Sequence, residues 1–146
     1  MTVFVDTAVL MYAAGGEHPL QAPCARIVAG IREGEVEATT SVEVVQELMH
    51  RYISIGRPEA ARTMATDTLD LFAPVLPITH AIMRRVPALG ARYPTLQARD
   101  LVHVATCIHE GITEIISPDR GFDDVAEGIM EENRGVKHRE ARRNKQ

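Results

Sequence analysis

Four acids stand at places where an α/β chain gathers its chemistry. Asp6 closes the run Val3-Phe4-Val5 and precedes the helix-like stretch Thr7 to Ala14. Glu47 lies under two turns into a helix opened by Ser41, between Val44 and Leu48. Asp100 begins an apolar helical stripe carrying Val104, Cys107 and Ile108, and Asp119 follows Glu114-Ile115-Ile116-Ser117 in the turn Pro118-Asp119-Arg120-Gly121. In an open parallel sheet, sites form at the carboxyl ends of strands, where the chain enters helices. Folded in that way, the four carboxylates meet at one edge. Taken singly, each also has a purely structural reading: Asp6 as an N-cap, Asp119 as a turn residue, Asp100 as a helix-opening acid, Glu47 as a solvated helix residue. Taken together, like charges beside apolar faces raise one another's pKa and cost stability unless a counter-charge is present. A divalent cation supplies it, and all-oxygen ligation favours magnesium, with manganese as a substitute. No strong nucleophile accompanies the acids, so water is the expected attacking group, for example on a phosphodiester.

Strands and helices must alternate to bring these acids together, and their signals do. Val3–Val5, Val36–Thr40, Val75–Ile78 and Glu114–Ser117 read as short strands. Helical spacing covers Thr7 to Ala14, about Leu20 to Arg32, Ser41 to about Ile55, Pro58 to about Phe72, Thr79 towards Leu89, and Asp100 to Glu110. Gly34, Gly56 and Gly111 serve as stops, Pro87 as a kink or end, and residues 90–97 as a loop. This alternation predicts an α/β fold with a mainly parallel sheet covered on both faces.

Composition narrows the setting. Apolar residues make up 45% and charged residues 25% of 146, as in an ordinary globular domain. No apolar run reaches the roughly 18–20 residues of a membrane span, and Met1 to Asp6 lack a basic leader, so a cytoplasmic protein with no membrane contact is expected. Cys24 and Cys107 show no metal-ligand spacing and read as buried thiols in a reducing compartment. Residues 1–133 carry ten Arg against nineteen Asp and Glu, a net of −9, whereas from Arg134 onward six basic residues face Glu140 alone, a net of +5. That basic tail is open to two readings, an electrostatic contact with nucleic acid or a solvated terminus.

Four motifs then stand in order: Val3-Phe4-Val5-Asp6-Thr7; Ser41-Val42-Glu43-Val44-Val45-Gln46-Glu47; Arg99-Asp100-Leu101-Val102-His103-Val104-Ala105; and Ile116-Ser117-Pro118-Asp119-Arg120-Gly121-Phe122-Asp123. With these the chain, from Met1 to about Val125, resembles a PIN-domain protein of the VapC toxin kind. The resemblance implies a PIN-like three-layer α/β fold, with the domain over 1–130 and a charged, flexible tail over 131–146. It implies a magnesium-dependent endoribonuclease toxin acting on RNA, commonly a homodimer, and neutralised by a small cognate antitoxin. By position, Asp6, Glu47, Asp100 and Asp119 become the acidic quartet, with Asp6, Asp100 and Asp119 as metal ligands. Glu47 would bind the metal through water or activate the nucleophile. Thr7, Ser117 and Asp123 become polar neighbours. The segment from Asp123 to Met130 departs from the family's closing strand, which leaves the last sheet edge open.

Other readings are weaker or remain beside it. A phospho-acceptor aspartate wants a second acid two residues on, or a nearby lysine, but Ala8 fills that position and no lysine precedes Lys137. No Gly-rich phosphate loop follows Asp6. A non-catalytic, metal-containing RNA-binding module keeps the same residues without turnover. His103 is expected to flank its helix rather than join the site, Glu43 to be a first-turn helix acid, and Arg51, Arg99 and Arg120 to be surface arginines able to meet phosphates.

Overall fold

A computed structural model describes residues 1–118 and the backbone of 137–139. At its centre lies β1 (Val3–Val5), whose three residues are all buried, as befits a β-branched and aromatic strand covered on both faces. The parallel neighbours of β1 are β2 (Ala38–Thr39), with Val3 beside Ala38 and Phe4 beside Thr39, and β3 (Glu114–Ile116), with Phe4 beside Ile115 and Val5 beside Ile116. β4 (Lys137–Arg139) extends β3 in parallel, giving the order β2-β1-β3-β4.

Parallel neighbours require crossovers, and six helices supply them. α1 (Thr7–Ala14) and α2 (Gln21–Arg32) join β1 to β2. α3 (Val42–Ser54), α4 (Pro58–Leu71), α5 (His80–Arg92) and α6 (Ala98–Glu110) join β2 to β3. α3 buries Val44, Leu48 and Tyr52 at four-residue intervals, the stripe expected of a helix lying on a core. α6 is buried at every position from Leu101 to Cys107, and it ends at Gly111, whose φ of 71° only glycine adopts freely. Phe4, Val5, Val9, Val44, Leu48 and Val104 form the fully enclosed centre of the core. Both cysteines are free and buried; burial pushes the Cys24 thiol up to about 11 and that of Cys107 well above its ordinary value, so neither is reactive.

Two expectations need correction. Val75–Ile78 is not a strand: among the described residues it makes a single parallel bridge, between Ser41 and Leu76, in which Leu76 N–H donates to Thr40 O and Leu76 O accepts from Val42 N–H. Pro74 and Pro77, which have no N–H, stand either side of Val75-Leu76, and the ladder does not extend through them. α5 continues through Pro87 to Arg92, so the expected loop at 90–97 begins only at Tyr93. Lys137–Arg139, read from sequence as part of the tail, pair with β3 as β4; the rest of 131–146 and the boundary at 130 lie outside the described residues. Among the described residues, no helix is long and apolar enough to cross a membrane.

Candidate active site

β1 ends by delivering Asp6 to the start of α1. The Asp6 side chain caps that helix as its structural reading foresaw, with Oδ1 accepting from Thr7 N–H at 2.9 Å. The second oxygen, Oδ2, accepts from the Ser117 hydroxyl at 2.8 Å, just beyond β3. Two strands thus hold one carboxylate in place, and it is only 5% exposed. The Thr40 hydroxyl donates to Val5 O at 2.9 Å, which ties the end of β2 to the residue before Asp6.

Glu47 arrives from α3. Its Oε1 accepts from the Thr7 hydroxyl at 3.0 Å, and its Oε2 lies 3.0 Å from Arg99 Nε. Arg99, expected as a surface arginine, is therefore ion-paired across to α3 from the first turn of α6. Asp100, one residue on, is the helix-opening acid its structural reading describes: its Oδ2 accepts from Gln97 N–H at 3.4 Å in a capping box. Asp6, Glu47 and Asp100 nonetheless line one cleft of about 540 Å³, walled elsewhere by Met11, Tyr12, Tyr52, Ile55 and Leu96. Of the expected quartet, three acids meet. Asp119 and the neighbour Asp123 lie outside the described residues, as does Arg120.

The sequence reading misplaced His103. Its ring is fully buried, against Phe4 at 5.3 Å between centroids, with Nε2 at 3.4 Å from Glu47 Oε1 and 3.6 Å from Asp6 Oδ1. The available signal was its position three residues after Asp100, which puts both on one face of α6. Glu43 sits in the first turn of α3 as expected, half-buried.

Charge and burial oppose one another here. Burial raises the Asp6 carboxyl above the ordinary carboxylate range, and neighbouring Glu47 adds to this, against the lowering pull of His103, Ser117 and Thr7. Burial also presses upward on Glu47, but His103, Thr7 and Arg99 outweigh it and hold Glu47 below its usual value. Burial alone would lower the His103 imidazole; contact with Glu47 and the charges of Asp6 and Asp100 raise it instead. Burial raises Glu43, with Glu47 adding to the effect.

A divalent cation fits this donor set. One ligand atom from each of Asp6, Asp100 and His103 lies within 4.8 Å of the others. Neither ring nitrogen of His103 has an aligned hydrogen-bond partner among the described residues, although buried polar atoms usually have one.

Comparison with known proteins identifies the family and the fold. Residues 3–128 match the family model described as the PIN domain. Ribonuclease VapC13 of Mycobacterium tuberculosis is 36% identical over 121 residues, covering 83% of this chain and 92% of the relative. Ribonuclease VapC7 of the same organism is 35% identical over 128 residues, covering 87% and 88%. The crystal structure of VapBC2 from Rickettsia felis, bound to a DNA fragment from its promoter, superposes with a TM-score of 0.66 at 11% identity, covering 96% of this chain and 98% of that one.

Proposed function

The chain belongs to the PIN-domain family, and on that premise we propose that it is a metal-dependent endoribonuclease toxin, neutralised by a cognate antitoxin. The observation that carries this reading is the meeting of Asp6, Glu47 and Asp100 on one cleft from three separate elements. Asp6 and Asp100 would hold the cation, Mg2+ with Mn2+ as a substitute; the same reading assigns Asp119, two residues past Ser117 in sequence, as a further ligand and Asp123 as a polar neighbour. When bound, the cation supplies Lewis acidity at the scissile phosphate and lowers the pKa of the attacking water.

The chain's own groups do the rest. Ser117 and the Thr7 amide fix both oxygens of Asp6, so this ligand needs little reorganisation. Glu47, held ionised by Thr7, Arg99 and His103, is a poor proton acceptor but a good hydrogen-bond acceptor, which suits it to orienting water. Arg99 supplies a positive charge at the cleft mouth that a substrate phosphate can share. The apolar wall of Met11, Tyr12, Tyr52, Ile55 and Leu96 offers faces for unpaired bases, consistent with single-stranded or looped RNA. The assembly is a cytoplasmic homodimer in complex with a small antitoxin that covers the cleft.

Purified protein freed of antitoxin should cut a structured RNA pool in Mg2+ or Mn2+, and Asp100→Ala or EDTA should stop it. Equal cutting by both proteins would place the activity elsewhere. Tight RNA binding without cutting would favour the non-catalytic binding module. Mass spectrometry of the native complex tests the antitoxin and the dimer, since a lone monomer contradicts both.

A further inference from the structure

We propose that His103 is itself a ligand of the cation, through a ring nitrogen, making the centre a mixed carboxylate–imidazole site rather than an all-oxygen one. The proposal rests on the reading that Asp6 and Asp100 bind a divalent cation, and deepens it by naming a third donor and its consequence for metal choice.

Helix geometry puts Asp100 and His103 one turn apart on the same face of α6, the spacing at which a carboxylate and an imidazole project together. β1 brings Asp6 to face them. The Phe4 ring lies tilted against the imidazole at 5.3 Å and restricts its movement away from the acids. Nε2 stands 3.6 Å from Asp6 Oδ1 and 3.4 Å from Glu47 Oε1. These distances are too long for charge-assisted hydrogen bonds, which close to about 2.7–2.9 Å. One ligand atom from each of Asp6, Asp100 and His103 lies within 4.8 Å of the other two, a spacing that donors round a shared ion can take. Ligands bound at about 2.0–2.2 Å necessarily stand about 3 Å or more from one another when they are at right angles or wider. The two nitrogens are also buried without an aligned partner, an arrangement a structural histidine normally avoids.

A nitrogen donor changes selectivity. Carboxylate-only sites suit magnesium and manganese alike, whereas imidazole suits transition ions, so His103 moves the site away from strict magnesium preference, and Mn2+ serves as the paramagnetic probe of that nitrogen. Replacing it should return the site towards an indifferent carboxylate pair.

The test uses the full chain, freed of antitoxin and stripped of metal, then loaded with Mn2+. Pulsed electron paramagnetic resonance should show an imidazole 14N coupling to Mn2+, replaced by the 15N pattern when the protein is made with 15N-histidine. The coupling should vanish in His103→Gln and persist in His50→Gln, which alters a histidine on the neighbouring face of α3. Calorimetry should show Mn2+ affinity falling at least about 10-fold in His103→Gln, with Mg2+ affinity changing less. If His103→Gln fails to fold, His103→Asn and the wild-type spectrum decide the matter. Mn2+ bound without nitrogen coupling would overturn the ligand assignment and leave the nuclease reading intact. Failure to bind either ion would overturn both.

Discussion

β1 changes character across a single peptide bond. Phe4 and Val5 are fully enclosed within the core, and Asp6, the next residue, is nearly as enclosed but surrounded by charge. The same switch recurs on α3, where Leu48 follows Glu47, and on α6, where Val104 follows His103. Each of these three elements turns one residue into the core and the adjacent one towards the site. The two regions share a scaffold and a degree of burial, yet their energetics are opposed. Enclosing Leu48 stabilises the fold, while enclosing Asp6 beside the half-buried Glu47 and Asp100 costs stability that a counter-charge offsets. Core rigidity is therefore what holds the acids close enough to act on a phosphate.

Substitutions on the two sides of this boundary should separate stability from activity. The largest effect is expected for Asp6→Asn, which should lower RNA cleavage by about 1000-fold, or ~4 kcal/mol of transition-state stabilisation, while the protein remains folded by circular dichroism. Next comes Leu48→Ala, which should lower unfolding free energy by about 3 kcal/mol in urea titrations, with cleavage at low temperature largely kept. Thr7→Val removes the hydroxyl that Glu47 Oε1 accepts from and should slow cleavage by about 10–100-fold with little change in stability. A stability loss in Asp6→Asn as large as that in Leu48→Ala would erase the distinction between the regions.

The smallest effect is a pH dependence of the metal-free protein. His103 is raised in the folded state, so its stabilising contribution is complete below its unfolded value of about 6.5 and is lost as pH rises through its folded value. Glu47 is lowered, so its contribution is present above its unfolded value of about 4.3 and is lost as pH falls through its folded value. The melting temperature should therefore decline as pH rises through the folded value of His103 in wild type and decline less in His103→Gln. Identical profiles would mean that His103 does not balance the acids.

Much of this arrangement is legible in local sequence. Asp6 follows a β-branched run, and Gly56 and Gly111 mark where α3 and α6 stop, because these signals act over a few residues. The span of α1, Thr7–Ala14, is readable for the same reason. Features set by distant partners are not. Leu76 makes one bridge because Thr40 and Val42 meet it; Pro74 and Pro77 are visible as breaks in the run, but the partner it finds is set by the distant β2–α3 junction. Lys137–Arg139 carry no strand signal, yet they pair in parallel with β3. His103 was the costliest to misread. Helical spacing places it on the Asp100 face, but only the packing of β1 and α3 against α6 encloses it between Asp6 and Glu47.

The most direct measurement is thermal unfolding of antitoxin-free, metal-stripped wild type and Asp6→Asn, each with and without saturating Mn2+. If the buried acids are retained for a cation, metal-free Asp6→Asn melts at or above the wild-type temperature, and Mn2+ raises wild type strongly but the variant little. Equal stabilisation of both proteins by Mn2+, or of neither, would contradict a cation centre built on Asp6.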